Sequence, residues 1–162
     1  MPSVERIIEE VIVCLREVNY IAHGQQDCKR KAVGCAMVSF NSFGSLKRHT
    51  LGINGPTVVC TGVKGSCGCA HAEPRAVMAA LREFPGERFV LLCTYSPCTS
   101  CANVIVDSEA VRAVVFHHFT DHDPRGLEIL LASMPVLSTD QLVDGTDKTA
   151  AILVEFCDDP TS

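Results

Sequence analysis

Residues 88–116 read RFVLLCTYSPCTSCANVIVDSEAVRAVVF. Two short apolar runs, 88–94 and 111–116, bracket a longer stretch entered at Pro97. Continuous apolar runs of this length, rich in β-branched residues, read as strands buried on both faces. The stretch between them, with proline at its entry, reads as a helix over about 98–108.

The same reading extends in both directions. Residues 72–84 fit a helix with Pro74 in its first turn, where proline is tolerated, and Pro85-Gly86 ends it. Residues 33–40 (VGCAMVSF) read as a strand, 41–45 as a turn and 48–53 as the returning strand of a hairpin. Residues 54–69, rich in Gly and Cys, read as a loop. Val4, Ile7, Ile8, Val11, Leu15 and Val18 recur at helical spacing behind Ser3, a good N-cap, and predict a helix over 4–22. A polar loop at 117–125 leads to a helix at 126–133, and residues 149–157 (TAAILVEFC) read as a terminal strand. The order α-β-β-α-β-α-β-α-β predicts an α/β fold, a mixed sheet covered by helices on both faces. With no repeat, low-complexity tract or linker, residues 1–162 are expected to form a single domain.

Composition narrows the function. The chain is 47% hydrophobic with a formal net charge of −5, enough apolar mass for a core. A negative chain argues against long nucleic acid, which calls for a basic face, and leaves room for a small anionic substrate. No stretch looks like a signal peptide or a membrane span, so a cytoplasmic protein is expected. Of the ten cysteines, Cys14, Cys35 and Cys93 lie in apolar runs and read as small core residues.

The chemistry concentrates in His71-Ala72-Glu73 and Pro97-Cys98-Thr99-Ser100-Cys101. Cys98 and Cys101, three apart at a helix start, project to one side. A helix N-terminus favours negative charge and so favours thiolate over thiol. His71 opens another predicted helix. Two helix starts facing each other place three ligands around one Zn²⁺ and leave a fourth position for water, the catalytic form of a zinc site. Glu73, two residues from His71, can reach that water without binding the metal. A redox pair or half of a structural zinc site is the plainer reading of Cys-x-x-Cys alone. The combination with His-x-Glu favours the catalytic site.

These motifs resemble those of the zinc-dependent cytidine/deoxycytidylate deaminase superfamily, whose signature is H-x-E…P-C-x-x-C. The similarity runs over about residues 20–136 and is strongest to the deoxycytidylate (dCMP) deaminase branch. It includes Cys28-Lys29-Arg30-Lys31-Ala32-Val33-Gly34, Gly52-Ile53-Asn54-Gly55-Pro56, Thr94-Tyr95-Ser96 and Gly126-x-Glu128-Ile129-Leu130. The resemblance implies a three-layer α/β/α cytidine-deaminase-like fold with a mixed five-stranded sheet. It implies metal ligands His71, Cys98 and Cys101, and Glu73 as the proton carrier. It implies that Asn54 bonds the sugar, that the Ala72 backbone meets the base carbonyl, and that Ser96 contacts substrate. Activated water would attack C4 of cytosine while Glu73 moves its proton to N3 and then toward departing ammonia. The family also implies a homo-oligomer, dimer or hexamer. After His71-Ala72-Glu73 the chain has Pro74-Arg75 where the family often has Asn, and the tail after residue 137 has no counterpart.

Three weaker clusters remain. Lys29, Arg30 and Lys31 read first as a solvated charge run and next as a phosphate contact, with Arg30 the choice for bidentate grip. Cys67-Gly68-Cys69 lacks zinc-knuckle spacing, so Cys60, Cys67 and Cys69 read as free thiols before a second zinc. His117, His118, Asp121, His122 and Asp123 read as a polar loop, then as substrate contacts, and last as a metal site. The leading function is hydrolysis of the cytosine amino group of a free nucleotide, dCMP. The same chemistry on a nucleoside, guanine or another amino-heterocycle is second. A nucleic-acid-editing deaminase is weakened by the acidic balance, the lack of Trp and the two Tyr. A zinc-stabilised binding module would have no need of Glu73.

Overall fold

Strand β1 (Gly34–Phe40) is buried along its whole length, and its side chains divide between two cores. Cys35 and Met37 face one cluster of apolar side chains, and Ala36, Val38 and Phe40 face the other. Alternation of this kind is the period-2 geometry of a strand covered on both sides. β5 (Phe89–Tyr95) repeats it, with Leu91 and Cys93 on the first side and Val90 and Leu92 on the second. The computed structural model describes residues 3–25, 28, 30–56, 61–62, 68–120, 123–144, 149, 152–153 and 155–157. Lys29, Cys60, Cys67, Asp121 and His122 lie outside the described residues.

Five strands form one mixed sheet in the order β2-β1-β5-β6-β7. β2 (Leu46–Ile53) and β5 both run antiparallel to β1. β6 (Val111–His118) and β7 (Val136–Ser138) continue from β5 in parallel. Two-residue strands β3 (Gly55–Pro56) and β4 (Cys69–Ala70) pair beside it.

Helix α1 (Val4–Gly24) covers one face. Ser3 caps it by accepting the Arg6 N–H at 3.4 Å, and Ile7, Val11, Leu15, Val18 and Ala22 are its buried stripe. Helices α2 (Ala72–Glu83), α3 (Thr99–Asp107) and α4 (Arg125–Leu131) lie on the opposite face. This is the three-layer α/β/α arrangement expected. Among the described residues no helix is long and apolar enough to cross a membrane.

The expected elements match to within a few residues up to α4; β2 begins at Leu46 rather than 48. The terminal strand is a correction. Residues 149, 152 and 153 are helical, and Cys157 makes only an isolated bridge to Phe40. Leu153 and Phe156, three apart, are buried, while Glu155 between them is exposed, which is helical spacing rather than alternation. The sheet's fifth strand is instead β7, followed by α5 (Thr139–Asp144). Cys35 and Cys93 are core residues as expected, whereas Cys14 is half-buried on α1.

Candidate active site

His71 and Cys98 occupy equivalent places. Each is the N-cap of its helix, in extended backbone, and neither side chain caps. Both side chains are therefore free to turn toward each other across the mouth of the sheet. Cys101, one turn into α3, is buried. His71 Nδ1 lies 3.1 Å from Cys101 Sγ and 3.6 Å from Cys98 Sγ, and all three ligand atoms fall within 4.8 Å of one another.

Two glycines allow this approach. A Cβ on Gly126, in α4, would sit 2.0 Å from the Pro97 carbonyl oxygen and 2.8 Å from the Cys98 carbonyl carbon. A Cβ on Gly52, in β2, would sit 2.1 Å from the Ala72 carbonyl oxygen. No side chain fits at either point, so each backbone packs directly on a ligand-bearing turn.

Electrostatics in the cluster are those of donors sharing too few protons. Cys101 hydrogen-bonds Cys98 and, with help from His71, brings the Cys98 thiol down to about 3. The same contact with Cys98, then burial, holds the Cys101 thiol well above its ordinary value. Contact with Cys98 raises the His71 imidazole. Two sulfurs and one imidazole nitrogen drawn together suit a borderline-soft dication, which His71, Cys98 and Cys101 would hold with both sulfurs as thiolates.

Glu73 stands in the first turn of α2 and is only 4% exposed. Burial raises its carboxyl above the usual carboxylate range. It opens on a cavity of about 340 Å³, whose wall includes His71, Cys98, Ala72, Asn54, Ser96 and Arg30. All four residues expected to contact substrate thus meet the metal cluster at one cavity. Asn54 also fixes its own surroundings: Oδ1 accepts the Val33 N–H at 2.8 Å and Nδ2 donates to the Lys31 carbonyl at 2.9 Å. Ser96 Oγ accepts the Thr120 N–H at 2.7 Å, and the Thr120 hydroxyl donates back to the Ser96 carbonyl. Arg75 donates to the carbonyls of Ile53 at 2.9 Å and Gly55 at 3.3 Å, so it braces the 52–56 loop and is not on the cavity wall.

Other residues of the quoted motifs reach the same wall. Lys31, from the basic cluster, places Nζ 4.2 Å above the Tyr95 ring centroid, and both line the cavity, as do Cys28 and Cys69. Thr120 also lines it and was passed over in the sequence, where nothing local marks it. Asp123, from the polar loop, lines the cavity and binds Thr99. His117 and His118 lie elsewhere: His117 Nδ1 pairs with Thr139 Oγ1 at 2.8 Å, and His118 packs on Tyr95.

The chain is 26% identical over 129 residues to the deoxycytidylate deaminase of Schizosaccharomyces pombe, covering 72% of this chain and 40% of that protein. The Saccharomyces cerevisiae deoxycytidylate deaminase is 27% identical over 120 residues, covering 68% and 38%. The chain thus spans about two fifths of the length of these curated relatives. The crystal structure of dCMP deaminase from cyanophage S-TIM5 in apo form superposes with a TM-score of 0.61 at 26% identity, covering 80% of this chain and 97% of that one. The same phage enzyme in complex with dCMP and dUMP gives 0.62 at 25%, covering 78% and 93%. Residues 11–118 match the model of the cytidine and deoxycytidylate deaminase zinc-binding region, and the chain belongs to that family.

Proposed function

We propose that this chain is a zinc-dependent hydrolytic deaminase that converts the cytosine of a free nucleotide, dCMP, to uracil with release of ammonia. The observation that carries the reading is Glu73: a buried carboxyl beside the His71–Cys98–Cys101 cluster, opening on the same cavity as Arg30 and Lys31. A binding module has no use for a carboxyl that burial makes costly to ionise.

His71, Cys98 and Cys101 would hold the zinc, which when bound supplies Lewis acidity and lowers the ionisation of water to about 7. Glu73 accepts the water proton, delivers it to N3 of the base, and then assists the amino group as it leaves. The balance is one water consumed and one ammonia released. Ala72 is the first residue of α2, where helix N–H groups lack intrahelical partners, so its backbone can donate to the base carbonyl. Asn54 reads the sugar with the donor and acceptor capacity left after its bonds to residues 31 and 33. Arg30, with Lys31, takes the phosphate. The net charge of −5 repels a long polyanion while these local cations hold one phosphate.

The test is ammonia release from dCMP, dCTP, deoxycytidine, cytosine, guanine and single-stranded DNA side by side. Preference for dCMP is expected. Turnover of deoxycytidine or guanine equal to that of dCMP overturns the nucleotide reading, and no turnover of any of them by zinc-loaded protein overturns the deaminase reading. Assembly as a homo-oligomer belongs to the same proposal. Sedimentation that finds only monomer at micromolar concentration overturns that part.

A further inference from the structure

Ser96 is tied to the strand end beside it through almost every polar atom it has. Its N–H donates to the His118 carbonyl at 2.7 Å, its carbonyl accepts the Thr120 hydroxyl, and its Oγ accepts the Thr120 N–H at 2.7 Å. Ser96 is 4% exposed and Thr120 8%, and both line the cavity. Among the described residues none accepts the Ser96 hydroxyl proton.

A hydroxyl carries one proton and two acceptor sites. With the Thr120 N–H on the oxygen, the proton of Ser96 is turned away from Thr120, and the cavity is what lies open to it. Buried polar groups are nearly always hydrogen-bonded, so a buried donor in a cavity wall calls for an acceptor on the ligand. In bound dCMP the other acceptors are already met. The Ala72 N–H takes the base carbonyl, N3 receives its proton from Glu73, and Asn54 reads the sugar. The phosphate remains, a group that near neutral pH offers almost only acceptors. Ser96 also follows Tyr95, whose ring carries Lys31 Nζ at 4.2 Å, so hydroxyl and ammonium belong to neighbouring stretches of wall.

We propose that the Ser96 hydroxyl donates to the 5′-phosphate of the bound nucleotide, and that Thr120 is the positioning residue that holds the Ser96 oxygen with its proton toward the cavity. The proposal rests on the nucleotide reading given above. Thr120 acts through Ser96.

The test separates the phosphate from the rest of the substrate. Ser96→Ala should raise KM for dCMP about tenfold with kcat little changed, the loss of one charge-assisted bond, while KM for deoxycytidine rises far less. Thr120→Val removes the grip on the Ser96 carbonyl and should show a smaller loss of the same kind, about threefold. Thr120→Ser keeps both bonds and should stay near wild type. Because Ser96→Ala orphans the Thr120 N–H, Thr120→Val carries the comparison if that variant does not fold. Calorimetric binding of 2-deoxyribose 5-phosphate to zinc-loaded protein reads the contact without base or turnover, and should weaken about tenfold in Ser96→Ala. Equal rises in KM for dCMP and deoxycytidine would put Ser96 on the base or sugar and overturn the proposal, as would wild-type affinity of Ser96→Ala for 2-deoxyribose 5-phosphate. Wild-type KM in Thr120→Val overturns the positioning role. A protein that binds 2-deoxyribose 5-phosphate through Ser96 yet deaminates nothing keeps the contact and overturns the deaminase reading instead.

Discussion

Asp123 holds Thr99 with both carboxylate oxygens: Oδ2 accepts the backbone N–H and Oδ1 accepts the hydroxyl proton, each at 2.8 Å. Thr99 is the first residue of α3, between the N-cap Cys98 and Cys101. One N–H that the helix itself cannot satisfy is thereby paired, and a carboxylate sits where the helix dipole favours it. The loop after β6 therefore fixes the turn that presents both sulfurs.

Removing that hold should loosen the metal before it unfolds the protein. Asp123→Ala deletes two charge-assisted bonds, and even one is typically about 1.5–3 kcal/mol. Zinc release to a chromogenic chelator should quicken at least roughly tenfold, with Asp123→Asn intermediate because its amide oxygen still accepts. Release at the wild-type rate from Asp123→Ala would show that α3 keeps its first turn unaided.

Gly126 makes a steric rather than an electrostatic demand. An added methyl would meet the Pro97 carbonyl oxygen at 2.0 Å and the Cys98 carbonyl carbon at 2.8 Å, both backbone atoms. Gly126→Ala must shift α4 or the Pro97–Cys98 turn, and overpacking of this kind costs about 1–3 kcal/mol. The variant should melt lower and bind less than one zinc per chain, measured by elemental analysis. Full zinc occupancy at an unchanged melting temperature would mean that the contact relaxes without cost.

These two contacts mark where sequence reasoning stopped. His71, Glu73, Cys98 and Cys101 were legible because each of the two motifs is local and sits at a helix start that Pro74 or Pro97 announces. The central strands were legible because burial on both faces leaves continuous apolar runs. Asp123 and Thr99 are 24 residues apart, and nothing local says that they meet. Lys31 and Tyr95 meet only because both reach the same cavity wall. The segment after residue 135 was misread for another reason. Ser138 and Gln141 form a reciprocal cap, Gln141 Oε1 accepting the Ser138 N–H at 2.8 Å and Ser138 Oγ accepting the Gln141 N–H at 3.3 Å. That S-x-x-Q spacing was a readable helix start. The more apolar run at 149–157 drew the strand assignment away from three residues, 136–138, too short to show alternation.

The roles of ligand and proton carrier should separate on substitution. Cys98→Ala or Cys101→Ala should strip the zinc, leaving well under one ion per chain. Glu73→Ala should keep it and lose at least about 10²-fold in turnover, the low end for general acid–base catalysis. Near wild-type turnover in Glu73→Ala, or zinc loss equal to that of the cysteine variants, would assign Glu73 another role.

Cys14 supplies a pH test away from the site. Burial first, then Glu17 and Glu10, push its thiol from an ordinary 9.0 up to about 11. Because the folded value is the higher one, its contribution to stability is fully present below the unfolded value and is lost as the pH rises through about 11. At pH 8 its thiolate fraction should be about a hundredth of that in the unfolded chain, and alkylation followed by peptide mass spectrometry should slow accordingly. Equal rates in folded and denaturant-unfolded protein would contradict this.

The phosphate contact can be argued from what holds Lys31. Its carbonyl is tied by Asn54 Nδ2 at 2.9 Å, while its ammonium rests 4.2 Å above the Tyr95 ring centroid. A cation over an aromatic face is worth about 0.5–1 kcal/mol at exposed sites. A charge-assisted bond to phosphate is worth about 1.5–3 kcal/mol, so a phosphate in the cavity should draw Lys31 from the ring. Arg30 lines the same cavity, whereas Arg75 is committed to the carbonyls of Ile53 and Gly55. Lys31→Ala and Arg30→Ala should therefore each raise KM for dCMP about tenfold with kcat little changed, since holding the phosphate is uniform binding. Neither should alter the kinetics of deoxycytidine, which has no phosphate to lose. The wild-type advantage of dCMP over deoxycytidine should shrink as salt rises, because the contact is electrostatic and partly exposed. If both variants keep the wild-type ratio of dCMP to deoxycytidine activity, the phosphate is held by other groups and the cations at 30 and 31 are a solvated face.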